Sequence, residues 1–117
     1  MTDTKKIAEL NDHVRQHIAS PWLIPSGVPA KIFKTQGIDA LSIEDQLVIL
    51  GKIRDFDDFT EDNDPHGEHD FGSLDYKGQK IFWKIDYYAP DMMHGSENPA
   101  DPSQTVRVLT IMFANEY

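Results

Sequence analysis

Residues 58–72, DFTEDNDPHGEHDFG, put the carboxylates of Asp58, Glu61, Asp62, Asp64, Glu68 and Asp70 and the imidazoles of His66 and His69 into fifteen positions. Such oxygen and nitrogen donors are what divalent cations take. His66, His69, Asp62 and Asp64 form the candidate metal set, and with it comes one reading of the chain as a divalent-metal-dependent hydrolase built on loop 62–70. Register excludes an EF-hand. Counting from Asp62, position three is Asp64 and position six is Gly67, but position five is His66 and position twelve is Ser73, where that loop needs a bidentate Glu. Asp, Asn, Pro and Gly are also turn formers. The same stretch therefore reads as a solvated turn, or as a packed one that Phe59 and Phe71 anchor to the core.

Other constellations are thinner. A nuclease pattern of the D…(D/E)-x-K kind can be laid on Asp64, Asp75 and Lys77, but Lys77 falls at an expected hairpin tip where side chains diverge. Lys84 and Asp86 flank Ile85 on one strand face as partners for each other. His69, Asp70, Asp86, Tyr88 and Arg107 would gather for acid–base work only if the acidic stretch folded over that face. His13 and His17 lie four apart on a helix, yet Val14 stands where an HExxH site needs Glu, so they read as surface or boundary residues. No nucleophile elbow, P-loop or dinucleotide fingerprint is present.

Charge narrows the partners. The chain is −9 overall; residues 1–54 hold seven Lys/Arg and six Asp/Glu, whereas residues 55–117 hold four and fourteen. Nucleic-acid backbones are bound by Lys and Arg that displace counterions, so direct nucleic-acid binding is disfavoured. A basic protein surface, or a protein that itself binds nucleic acid, suits such a surface. The candidate partner-binding residues are Asp55, Asp57, Asp58, Glu61, Asp62, Asp64, Glu68 and Asp70.

The elements that must position these residues can be read from periodicity. The 117 residues fit one domain. There is no cysteine, which removes disulfide, zinc-thiolate, iron–sulfur and thiol chemistry. No apolar stretch suits a signal peptide or a membrane span, and a cytoplasmic location is expected. Ile7, Leu10, Val14 and Ile18 predict an amphipathic helix over about 4–19, stopped by Ser20-Pro21. LSIEDQLVILGKIRDF predicts a second helix, with Ser42 and Asp45 as a capping box and Ile43, Leu47, Leu50, Ile49, Ile53 and Phe56 as a broad face against a sheet. A short strand is expected over Lys31–Thr35. FGSLDY and QKIFWKIDYY alternate with period two and suggest a hairpin turning at Lys77-Gly78. TVRVLTIMFA is apolar on both faces, as a central strand is. A loop of some fifteen residues joins them. The fold class is α+β: two helices packed on one face of a small, mostly antiparallel sheet of three to four strands.

Three blocks, DFDDFTEDNDPHGEHDFG, IFWKIDYYAPDM and GSENPADPSQTVRVLTIMFANEY, resemble a bacterial family, domain of unknown function 3768, over about residues 40–117. The resemblance implies a small cytoplasmic protein of a kind carried on plasmids and other mobile elements. It implies no activity and transfers no functional residue. With the acidic half, it makes the leading expectation a non-catalytic protein-binding module, in its sharper form an anti-restriction or anti-CRISPR inhibitor of a nucleic-acid-handling protein.

Overall fold

The structure, a computed structural model, describes residues 3–117. Helix α1 (Asp3–Gln16) buries Ile7, Leu10 and Val14 along one stripe, with Asn11 and Arg15 on the same inward side. After a proline-led 3-10 turn over Pro21–Leu23 comes strand β1 (Ala30–Lys34), then the single-turn helix α2 (Gln36–Asp39) and helix α3 (Ile43–Arg54). Strands β2 (Phe71–Tyr76), β3 (Gln79–Tyr88) and β4 (Val106–Phe113) complete the chain.

The sheet order is β1-β4-β3-β2. β4 lies between β1, to which it is parallel, and β3, to which it is antiparallel. The hairpin forms where its turn chemistry allows. Tyr76 pairs with Gln79, and between them Lys77 and Gly78 both take positive φ, 51° and 78°, as a two-residue type I′ turn requires.

On the inner face, Ile81, Trp83 and Ile85 of β3 and Leu109 and Ile111 of β4 meet Leu10 and Val14 of α1, Ile38 of α2, and Ile49 and Ile53 of α3. The opposite face carries Lys84, Asp86, Tyr88, Thr110 and Met112 in a groove bordered by Met92, Glu116 and Tyr117. The α+β expectation therefore holds, with helices over one face of a four-stranded, mostly antiparallel sheet. Among the described residues no helix is long and apolar enough to cross a membrane.

Two local expectations change. Only half of the Ser42 capping box forms: Ser42 Oγ accepts the Asp45 amide at 3.0 Å. The Asp45 carboxylate instead accepts the Tyr76 hydroxyl and pairs with Lys77 at 2.9 Å, tying the hairpin tip to α3. The apolar face of α3 is also split. Ile49 and Ile53 are buried, while Ile43, Leu47 and Val48 stay 72, 58 and 46% exposed. Gln46 takes an inward position, donating to the Asp39 and Leu41 carbonyls at 3.2 and 2.9 Å and accepting from Lys34. That polar anchor fixes the rotation of α3, with Leu50 packed at the core's edge and Ile43, Leu47 and Val48 left in water.

Candidate functional site

The acidic stretch starts where α3 ends, and α1 holds it there. Four carbonyls at a helix C-terminus lack intrahelical donors. Arg15 Nη1 supplies two of them, donating to Ile53 O at 3.0 Å and Arg54 O at 2.8 Å, while its Nη2 reaches Asp12 at 3.2 Å. The same guanidinium lies 5.5 Å from the Phe59 ring centre and 5.8 Å from that of Trp83. Phe56, Phe59 and Trp83 meet edge to face at 5.1–6.2 Å, an arrangement aromatic quadrupoles favour. The first half of the stretch is thus seated on a buried cation and an aromatic cluster. Asp55 makes a bidentate pair with Arg54 at 2.9 and 3.0 Å, and that bonding lowers its carboxyl pKa.

The second half is folded by its own polar side chains. Asn63 Oδ1 accepts the Thr60 amide at 2.8 Å and its Nδ2 donates to Asp58 O at 2.7 Å. Asp64, 8% exposed, accepts the amides of Glu68 and His69 at 3.1 and 3.2 Å. His69 has φ +57°, a left-handed conformation uncommon outside glycine. Both ends of its side chain are engaged: Nδ1 lies 3.0 Å from Asp12 Oδ1, and the ring stacks on Phe59 at 3.9 Å and 6°. Glu68 O accepts from Asn11 at 3.0 Å and Glu68 Oε1 from the Tyr87 hydroxyl at 2.9 Å.

Of the eight candidate partner-binding acids, Asp55, Asp57, Asp58, Glu61 and Asp62 are exposed. Three belong to the framework instead, which corrects the expectation that all eight present themselves outward. Asp64 is consumed by backbone amides, Glu68 by Tyr87, and Asp70 is half-buried. The metal set is not assembled. His66 and Asp62 are exposed, His69 faces Asp12, and among the described residues no three His, Asp or Glu side chains are grouped as a metal ion would need. The nuclease pattern is also dispersed, with Lys77 held by Asp45 and Asp75 across from Lys80. Nor do His69, Asp70, Asp86, Tyr88 and Arg107 gather, because Arg107 points inward while Asp86 and Tyr88 line the opposite face. Phe59 anchors the stretch as expected. Phe71 does not join that cluster, and tilts against Phe82 at 5.1 Å.

Burial raises the pKa of the Asp70 carboxyl, and the charges of Glu68 and Asp64 add to the rise. An acid whose folded pKa exceeds its unfolded value binds more protons when folded, so stability falls as pH rises between the two. Asp70→Asn is therefore expected to raise Tm at pH 7, with the gain vanishing by about pH 3, below the ordinary carboxylate range. Thermal melts of parent and variant across pH check this; a gain that persists at low pH contradicts it.

Sequence reasoning missed Asn11, Asp12, Arg15 and Tyr87, which clamp the stretch from the other side, and it grouped Arg107 with Asp86 and Tyr88 rather than with Asn11 and Tyr87. Arg107 is wholly buried. Its Nε donates to Asn11 Oδ1 at 2.7 Å, its Nη2 donates to Pro99 O, and its guanidinium lies 5.3 Å from the Tyr87 ring centre. The available signal was a polar residue at an inward position: Asn11 and Arg15 beside Leu10 and Val14, and Arg107 in phase with Leu109 and Ile111.

A family model described as "Protein of unknown function (DUF3768)" matches residues 34–116. No curated protein and no solved structure matches the chain.

Proposed function

The chain belongs to this family of proteins of unknown function, so membership carries no activity, and from the chain's own surface we propose a non-catalytic module that docks a basic protein through residues 55–62. One observation carries the reading. The side chains of Asp57, Asp58, Glu61 and Asp62 are exposed and make no hydrogen bond or ion pair among the described residues. The loop's shape is held by Arg15, Phe59, Asn63, Asp64 and His69 instead. Four carboxylates are thereby displayed on backbone that needs none of them. A loop already fixed before binding loses less entropy when a partner arrives, and a field of one sign steers a cationic surface to it. The basic groove of a nucleic-acid-handling protein is the partner with the most complementary charge. In that role the module would act as an inhibitor that competes with nucleic acid.

The test is affinity capture from a bacterial lysate with three baits: the parent, Asp57→Lys/Asp58→Lys/Glu61→Lys/Asp62→Lys, and a control with the same charge change at Asp3, Asp75, Asp91 and Glu97. The expected result is a captured protein retained by the control, displaced by duplex DNA, and lost from the loop variant. Its affinity should fall roughly 100-fold or more, since like charges set face to face cost several kcal/mol. Equal capture by the loop variant and the control would sink the proposal.

A further inference from the structure

We propose that α3 is a self-association surface that pairs two copies of this chain through an antiparallel, two-fold helix contact. Two neighbouring i,i+4 ridges run along its solvent side. One is Ile43–Leu47–Gly51 and the other is Glu44–Val48–Lys52. The first carries two large apolar residues more than half exposed, and the second is centred on Val48, which is also exposed. The proposal is independent of the acidic-loop reading and concerns a different element.

Three features on these ridges select a second copy as the occupant. First, Glu44 and Lys52 are both exposed and neither makes a hydrogen bond or ion pair among the described residues. They stand eight residues apart, about 12 Å along the axis, too far to pair within one helix. An antiparallel helix crossing at Val48 sets Glu44 of each copy opposite Lys52 of the other. The ridge is thus complementary to itself under a two-fold axis, as an isologous interface must be.

Secondly, Gly51 has no reason within the fold to be glycine. It sits in mid-helix, and a Cβ placed there meets only Arg54 Nη2 of the same helix, at 3.8 Å. Glycine at such a position costs roughly 1 kcal/mol against alanine. A helix packed closely on that face accounts for the missing side chain. Thirdly, i±4 rows of two helices interlock in the commonest helix-packing class, so these two rows suit packing against another helix. The contact rests on one helix of twelve residues and belongs to the small end of interface sizes. An affinity in the ~10–100 µM range is appropriate.

Antiparallel pairing also places the two acidic loops, which leave the C-terminal ends of α3, at opposite ends of the assembly. Repulsion between them is then least.

Sedimentation equilibrium of the full chain tests this, with circular dichroism confirming that each variant folds. The parent is expected to shift from 13.4 kDa toward twice that mass as concentration rises. Leu47→Glu/Val48→Glu should weaken association by roughly 100-fold, as should either single reversal, Glu44→Lys or Lys52→Glu, by about 10-fold. The double reversal Glu44→Lys/Lys52→Glu should restore it, because the pair is re-formed with its sign exchanged. Gly51→Leu should raise thermal stability of the monomer while weakening the dimer. A parent that stays monomeric to about 1 mM overturns the proposal and leaves the stripe to a different protein. A double reversal that fails to recover association overturns the antiparallel register.

Discussion

Arg107→Ala is expected to destabilise the protein by ~3–5 kcal/mol, as truncation of the largest wholly buried side chains does. That would lower Tm by more than ~10 °C in a domain of this size. The loss has several parts. Asn11 Oδ1 loses the donor at 2.7 Å, Pro99 O loses another, and Tyr87 loses the guanidinium over its ring. A cavity remains where a wholly buried side chain stood. The charge is itself costly, since Nη1 is buried without a partner. Removing both ends of the bond should therefore cost less than the two single removals together. Arg107→Met/Asn11→Leu is expected to cost less than the sum of Arg107→Met and Asn11→Leu, with coupling of ~1 kcal/mol or more between the two sites, although Asn11→Leu also takes a donor from Glu68 O and Tyr87. Urea melts of the two single variants and the pair measure this. An Arg107→Ala midpoint within ~0.5 kcal/mol of the parent would mean that the guanidinium is not what joins α1 to β4.

Gly72→Ala should be the next most damaging small change. Gly72 faces Trp83 directly across the β2–β3 ladder. A Cβ at residue 72 would overlap the indole Nε1, Cε2 and Cζ2 atoms, far inside van der Waals contact. In a strand, glycine often marks such a close approach. The indole cannot retreat, because Phe56 and Phe59 stand edge-on to it and Ile111 is its partner on β4. Overpacking of this kind costs ~1–3 kcal/mol. Because Trp22 is exposed and Trp83 is buried, a Trp22→Phe background isolates the core indole. Gly72→Ala in that background should red-shift its fluorescence and lower the urea midpoint. Gly72→Ala/Trp83→Phe should lose less than the sum of the single changes. An unmoved spectrum and midpoint for Gly72→Ala would refute the account.

These two sites also show where sequence reasoning reached and where it stopped. What depends on neighbours in the chain was readable. Ser42 caps α3 through an amide three residues on, the Lys77-Gly78 turn follows from the φ values those residues accept, period two marked β3, and apolar residues on both faces marked β4. What depends on distant partners was not. Arg107 and Asn11 are 96 residues apart, and Asn11 reaches Glu68 across 57. In the sequence each is only a polar letter in an apolar stripe. Asp64 misled for a related reason. Composition counted it with the acids of the loop, whereas its role came from two amides that converge only once Gly67 and His69 turn left-handed. Composition indicated which stretch to test and the total charge it would carry. It did not separate the carboxylates that build the loop from those the loop displays.

The place of β4 in the sheet has a consequence for how the chain is made. This strand comes last in the sequence but sits in the middle, and its parallel neighbour β1 pairs Ala30 with Arg107. Synthesis from the ribosome is vectorial. Until residues 106–113 emerge, β1 lacks the strand it pairs with, and the inner faces of α1 and α3 lack Leu109 and Ile111. Contacts of such long range close slowly, and the nascent chain holds an unpaired edge and apolar surface in the meantime. Residues 55–70 hold eight carboxylates and no Lys or Arg, a charge that would oppose the approach of one such waiting chain to another.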